Sequence, residues 1–119
     1  MLQYNIFYQN CAYKGEVMIR IELSYKQGFI LYYVMHYEGK EYPGGITAEY
    51  RFFVDEACPF KELMLRAIID QCMDTDFTGF TAVDEWGIEL EPFGFRKEND
   101  VYVASAKDMK LPSLCKCDK

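Results

Sequence analysis

Alternating apolar and polar residues in the first half of the chain predict β-strands. Between residues 16 and 25 every second residue is aliphatic, and the residues between them include Arg20 and Glu22. Successive side chains of a strand point to opposite faces of its sheet, so this pattern places one row on a core and the other toward water. The aliphatic row consists of Val17, Ile19, Ile21 and Leu23.

Three more segments of the first half have strand character. Residues 3–8 are rich in β-favouring types, and residues 29–37 are apolar or aromatic on both rows. Residues 46–54 alternate again, after a loop predicted over the glycine-rich and proline-containing residues 38–45. Short connections between successive strands predict an antiparallel meander of about four strands.

The period of the apolar residues changes after Val54 and predicts one main α-helix over residues 58–73. Pro59 suits the first helical turn, where its missing N–H costs nothing. A wide apolar stripe recurs at helical spacing, which indicates burial against the sheet and against a later segment. The stripe consists of Phe60, Leu63, Met64, Ala67, Ile68 and Cys72, widened by Leu65 and Ile69.

The second half of the chain is less regular. Residues 86–95 are predicted to be strand-like, and the four polar residues 97–100 predict the turn of a C-terminal hairpin with a returning strand over 101–103. Together the elements predict one α+β domain over residues 1–119, an antiparallel sheet packed against one main helix. We expect the tail from about residue 107 to be mobile.

Composition and charge limit the class of function. The 119 residues include 13 Lys and Arg against 19 Asp and Glu, a formal net charge of −6, which argues against nucleic acid as a partner. The longest apolar stretch, residues 29–35, is far shorter than the about 20 residues that span a membrane. Five cysteines without the features of a signal peptide predict reduced thiols and a cytoplasmic location.

The segment from Asp74 to Glu85 matches the spacing of a calcium-binding loop. Acidic residues occupy the first and third positions, a hydroxyl the fifth, glycine the sixth and glutamate the twelfth, so that oxygen atoms could converge on one ion. A capped helix end followed by a polar turn, with Gly79 at positive φ, explains the same residues. Calcium binding is therefore an alternative hypothesis, and the main hypothesis, a protein-binding module, includes no cofactor. Its candidate ligands are Asp74, Asp76, Thr78, Phe80 and Glu85.

A second alternative is a small-ligand or thiol enzyme with a pocket near Cys58. The predicted helix would begin at this cysteine, where the helix dipole lowers a thiol pKa. A cysteine nucleophile usually needs a histidine base, and the chain has one histidine, His36. One cysteine and one histidine without further catalytic residues are a weak signal of an enzyme. A small residue beside a helix and a polar residue on a sheet face explain Cys58 and His36 equally well.

Aromatic residues make up 17% of the chain and suggest an interaction surface. If the helix covers one face of the sheet, the other face would carry Tyr32, His36, Arg51 and Phe53. Tyr and Arg contribute much of the energy of protein interfaces, although the preference of Tyr for strands accounts for part of the excess. The sequence therefore favours a non-catalytic protein-binding or regulatory module over an enzyme, with another protein or a second copy as its partner.

Overall fold

The computed structural model describes residues 3–10, 15–83 and 85–112; of residues 3–10 and 15–18 only the backbone is described. In this part of the chain the fold is α+β, as predicted, with two antiparallel sheets and one main helix. Two short 3-10 helices, Glu91–Phe93 and Ala106–Asp108, complete the regular structure. The other elements are β1 (Gln3–Asn10), β2 (Gly15–Ser24), β3 (Phe29–Tyr37), β4 (Lys40–Thr47), β5 (Phe52–Val54), α1 (Lys61–Cys72), β6 (Phe80–Ala82), β7 (Arg96–Glu98) and β8 (Val101–Ala104).

The first sheet is the predicted antiparallel meander, with its strands in the sequential order β1-β2-β3-β4-β5. Strand β1 pairs with β2 along its whole length, from Gln3 opposite Glu22 to Asn10 opposite Gly15. Strand β3 pairs with β2 only between Arg20 and Ser24. The β1–β2 hairpin therefore extends beyond the end of β3.

The prediction of a loop over residues 38–45 is wrong, because β4 occupies most of it. The chain reverses in a two-residue turn at Glu38 and Gly39, which both have positive φ, and Pro43 then pairs with Val34. This turn matches the right-handed twist of the flanking strands. The single strand predicted over 46–54 is also wrong, because a turn with Tyr50 at positive φ divides it into the end of β4 and the strand β5.

A β-bulge changes the face on which the first residue of β3 lies. Leu31 is opposite Ile46 but Phe29 is opposite Thr47, so one extra residue, Ile30, is inserted in β3. Phe29 therefore leaves the row of the core-facing residues of β3, to which alternation assigned it, and lies on the other face. The bulge brings the carbonyl of Leu31 against Gly45, which has a φ of +149° and whose Cβ, if present, would overlap that oxygen.

Helix α1 packs across β3, β4 and β5 on one face of the first sheet. Six of its residues are buried, and Met64 lies over Gly44, where an added Cβ would come within 2.8 Å of the sulfur. The missing side chain of Gly44 thus lets the helix approach the sheet closely. The helix begins at Lys61 rather than at residue 58, because the Cys58 N–H donates to the Asp55 carbonyl (3.0 Å) in a preceding turn.

The second sheet has the order β6-β8-β7 and is joined to the first by one parallel bridge between Arg51 and Thr81. At this bridge the Thr81 N–H donates to the Tyr50 carbonyl (3.0 Å). Buried rings fill the junction, with the centroid of Phe52 5.6 Å from that of Phe80 and 5.3 Å from that of Phe95. Edge-to-face pairs of this kind are stabilising beyond the area they bury.

Residues 86–95 do not form the predicted strand. Gly87 and Gly94 both have positive φ, and the 3-10 helix Glu91–Phe93 lies between them, with Pro92 in its first turn. The predicted hairpin exists, but its turn consists of Asn99 and Asp100 alone, because residues 97 and 98 belong to β7.

The chain after β8 packs back on the core as far as Met109, which is buried. The last seven residues of the predicted tail, 113–119, lie outside the described residues, and mobility there stays a prediction. Across the described ranges, no helix is long and apolar enough to cross a membrane.

The overlap at Gly45 predicts a large cost for the smallest substitution there. We expect Gly45→Ala to lower the free energy of unfolding by about 3 kcal/mol or more, because its methyl group would force the bulge apart. Gly28→Ala is the matched control, since Gly28 also has positive φ (+94°) but has open space around its Cβ position. It should cost only about 1 kcal/mol. Equal losses in urea denaturation of the two variants would contradict this account of the bulge.

Candidate functional site

The face of the first sheet opposite α1, which we call the open face, carries the four residues that the sequence predicted for binding. The strand register sets Tyr32 opposite Gly45, and Gly45 opposite Phe53. His36 has the same parity on β3 as Tyr32 and therefore the same face. Arg51 precedes β5 with the parity of Phe53 and is exposed.

Three half-buried rings form a cluster on the open face, which we call the ring cluster: Phe29, Tyr32 and Phe53. The Phe29 centroid lies 5.1 Å from that of Tyr32 and 5.9 Å from that of Phe53, both in edge-to-face geometry. Gly45 lies between Tyr32 and Phe53 in the register. The Lys26 ammonium is 5.9 Å from the Tyr32 centroid, at the range of a cation–π contact.

A cleft of about 510 Å³ adjoins the ring cluster. It opens between β5 and the residues that follow β6, and Phe53 belongs both to the cleft wall and to the ring cluster. Trp86, the one tryptophan of the sequence, lines the opposite wall. The lining residues are Thr47, Arg51, Phe52, Phe53, Val54, Asp55, Glu56, Val83, Glu85 and Trp86.

The outer backbone edge of β5 is directed at this cleft. The Thr47 N–H donates to the Arg51 carbonyl (2.9 Å), and the Asp55 N–H donates to the Pro43 carbonyl (3.0 Å), so residues 51 and 55 bond inward to β4. Successive residues of a strand direct their amides to opposite sides, so the N–H and C=O groups of Val54 are directed outward. The cleft therefore offers a strand edge as well as aromatic walls.

The charges at the cleft are predominantly negative. Asp55, Glu56 and Glu85 contribute carboxylates, and Arg51 contributes the guanidinium among the lining residues. Glu56, Glu85 and Arg51 are exposed at its rim. A ligand that fills this cleft would meet an excess of two negative charges beside the apolar rings.

His36 lies away from the ring cluster, at the other end of the open face. It is four residues from Tyr32 along β3, about 13 Å in an extended strand. Its Nε2 atom is 3.1 Å from a Glu22 carboxylate oxygen, and its Nδ1 atom is 3.6 Å from one of Glu41. The structure therefore groups Tyr32 and Phe53 closely, places Arg51 beside them at the cleft, and separates His36 from all three.

Cys58 and His36 cannot act together, because they lie on opposite faces of β3. Cys58 is 1% exposed, and its sulfur is 3.7 Å from that of Met35, the neighbour of His36 that faces the core. Burial raises the pKa of the Cys58 thiol, whereas the sequence predicted a lowered pKa from a helix dipole. The helix begins three residues later, at Lys61, so the thiol does not cap it.

The structure does not bring the five candidate calcium ligands together. Asp74, Asp76 and Thr78 are exposed in the turn after α1, whereas Phe80 is fully buried in β6 and Glu85 lines the cleft. In the ranges that the structure describes, which omit residue 84, no three His, Cys, Asp or Glu side chains are grouped as a metal site. The alternative explanation matches better, since the Thr75 hydroxyl donates to the Cys72 carbonyl (2.7 Å) and Gly79 has a φ of +79°.

Sequence reasoning missed Phe29 and Trp86 as members of the site. Phe29 reaches the open face through the bulge, which simple alternation cannot reveal. Trp86 reaches the cleft through the long-range bridge between Arg51 and Thr81. The one available signal was that Trp86 is the sole tryptophan and follows an acidic residue in an irregular segment.

Comparison of the chain with known protein families, curated proteins and solved structures finds no match.

The buried thiol of Cys72 predicts a characteristic loss of stability at alkaline pH. Burial raises its pKa from 9.0 to about 12, so above pH 9 the unfolded chain releases a proton that the folded chain retains. Stability should therefore fall between about pH 9 and pH 12, by up to about 1.4 kcal/mol per pH unit from this thiol. The stability advantage of the natural chain over Cys72→Ala should shrink as the pH rises from 8 to 10 in urea denaturation.

Met73→Ala is the control for this prediction. Met73 is the next residue of the chain, is 43% exposed and does not titrate, so its effect on stability should be independent of pH. A difference between the natural chain and Cys72→Ala that stays constant from pH 8 to pH 10 would refute the assignment.

Proposed function

We propose that this chain is a small, non-catalytic module of the cytosol that binds a basic, extended peptide segment of a partner protein at the cleft and the ring cluster. The observation that carries the proposal is the position of Phe53. This residue belongs to the ring cluster and also lines the acidic cleft of about 510 Å³. An apolar anchor and a charged rim are thereby present on one continuous surface.

The rings supply the apolar part of this surface. Phe53 and Tyr32 are half-buried, and both pack edge-to-face on Phe29, which limits their freedom before a partner arrives. Side chains that are already ordered lose little entropy on binding, and aromatic residues are enriched at the energetic centres of interfaces. Trp86 adds a second aromatic wall on the far side of the cleft.

The carboxylates at the cleft favour a positively charged partner. Asp55, Glu56 and Glu85 outnumber Arg51 at the cleft, and the whole chain carries a net charge of −6. Complementary charge speeds encounter with a positive segment and rejects negative ones. The same balance disfavours nucleic acid.

The outward backbone groups of Val54 support an extended conformation for the bound segment. A peptide that lies along the outer edge of β5 can exchange main-chain hydrogen bonds with them, as in other cases of strand addition. Its side chains would then alternate between the Phe53 wall and the Trp86 wall. Strand β5 has three residues, so the side-chain contacts must contribute most of the specificity.

Support for a cytosolic, non-catalytic role comes from the thiols. Cys58 and Cys72 are free and buried, which fits a reducing compartment. The raised pKa of Cys58 keeps its thiol protonated and unreactive at neutral pH.

Selection from a random peptide library, followed by fluorescence titration, tests the proposal. Peptides retained by the chain should be enriched in Lys or Arg around an aromatic or aliphatic residue. Their binding should shift the emission of Trp86, because the indole lines the cleft. We expect Phe53→Ala to weaken binding at least about 10-fold, as expected for truncation of a central interface residue.

Tyr25→Ala is the matched control, since Tyr25 is an aromatic residue that is 82% exposed and is not among the residues that line the cleft or form the ring cluster. It should leave the affinity unchanged. Peptides without a basic bias, or equal affinity for Phe53→Ala and the natural chain, would contradict the proposal.

A further inference from the structure

Strand β1 forms one edge of the first sheet for eight residues. It pairs with β2 on one side, and in the described part of the chain no strand lies on its other side. Every second residue of an edge strand directs its N–H and C=O groups outward. The opposite edge, β5, is only three residues long and follows directly after the bridge between Arg51 and Thr81. Strand β1 therefore has many more outward backbone groups available for pairing than β5.

None of the devices that usually protect an edge is found in the sequence of β1. Its eight residues, Gln3–Asn10, include no charged residue, proline or glycine. Its register with β2 is continuous from end to end, without a bulge that would turn the edge away. Natural edge strands are commonly blunted by lysine, proline, bulges or short length, so a long uncharged edge is prone to pair.

The strand next to this edge carries buried residues. Tyr4 and Ile6 are in register with Ile21 and Ile19, which are both fully buried, whereas α1 makes its main contacts with β3, β4 and β5. Buried residues of the sheet are therefore present on β2, beyond the strands that the helix mainly contacts.

We propose that β1 pairs antiparallel with β1 of a second copy of this chain, so that two five-stranded sheets join into one sheet of ten strands. Two identical strands related by a two-fold axis are self-complementary in the antiparallel arrangement. Two such strands can oppose seven residues of each copy and would form about six to eight backbone hydrogen bonds.

The charge distribution favours a second copy over a different protein. Symmetric pairing brings together two strands of the same net charge, so a strand with a net charge would repel its copy, and β1 has no charged residue. The net charge of −6 lies entirely outside β1 and would attract a basic protein to other parts of the chain. Strand β1 has no charge that would attract such a partner to this edge. An uncharged edge is the part of this acidic chain at which two copies can approach with the least charge repulsion.

Sedimentation velocity tests the dimer. The natural chain should convert from monomer to dimer as its concentration rises from about 1 to about 200 μM. The double variant Asn5→Lys, Gln9→Lys puts like charges on both copies of the edge while keeping the apolar residues of β1, and it should raise the dimer dissociation constant at least about 100-fold. Ser24→Lys with Gln27→Lys is the matched control, because both residues are exposed and the charge change is the same.

Hydrogen exchange of the unmodified chain locates the interface without any variant. Amides of residues 3–10 should become more protected at the dimeric concentration, while those of β4, at the centre of the sheet, should not change. A chain that stays monomeric over the whole range would overturn the proposal. So would a dimer that tolerates the two lysines in β1, or one whose added protection lies elsewhere. Peptide binding at the cleft should persist in the double variant, because the cleft lies at the opposite edge.

Discussion

The close approach of Gly45 to the carbonyl of Leu31 is the constraint on which the arrangement of both faces of the first sheet depends. It permits the bulge that turns Phe29 away from the core and toward Tyr32 and Phe53. The adjacent Gly44 does the corresponding task for the other face, where it admits Met64 and so sets the distance between helix and sheet. Two successive glycines of one strand thus shape the hydrophobic core and the candidate binding surface at once.

The polar and titratable groups of the described chain are divided between the core, the open face and the cleft. The two thiols described in the structure are buried and protonated at neutral pH, and the histidine contacts carboxylates at the other end of the open face. What remains accessible beside a concave surface is a set of rings, a strand edge and an excess of carboxylates. Groups of these kinds can recognise shape and charge.

Local patterns were sufficient to predict β2, β3 and α1 and the α+β class, because alternation and helical spacing follow directly from side-chain burial. The face shared by Tyr32 and Phe53 followed from the same alternation. Strand β4 was missed because Pro43 and its neighbouring glycines suggest a loop, although Pro43 pairs with Val34 within the sheet. The bulge at Ile30 and the bridge to Thr81 depend on contacts between distant segments, so the contributions of Phe29 and Trp86 could not be derived from local sequence.

One wall of the cleft is a regular strand, whereas the other belongs to the irregular stretch between β6 and the 3-10 helix Glu91–Phe93. Side chains in such a stretch are not required to alternate or to match a neighbouring ladder. Exposed residues beside Trp86, such as Glu85 and Glu89, can therefore be substituted with little effect on folding, whereas Trp86 itself packs against the core. The fold thereby divides the cleft into one wall that is fixed by strand pairing and one wall whose exposed residues can diverge.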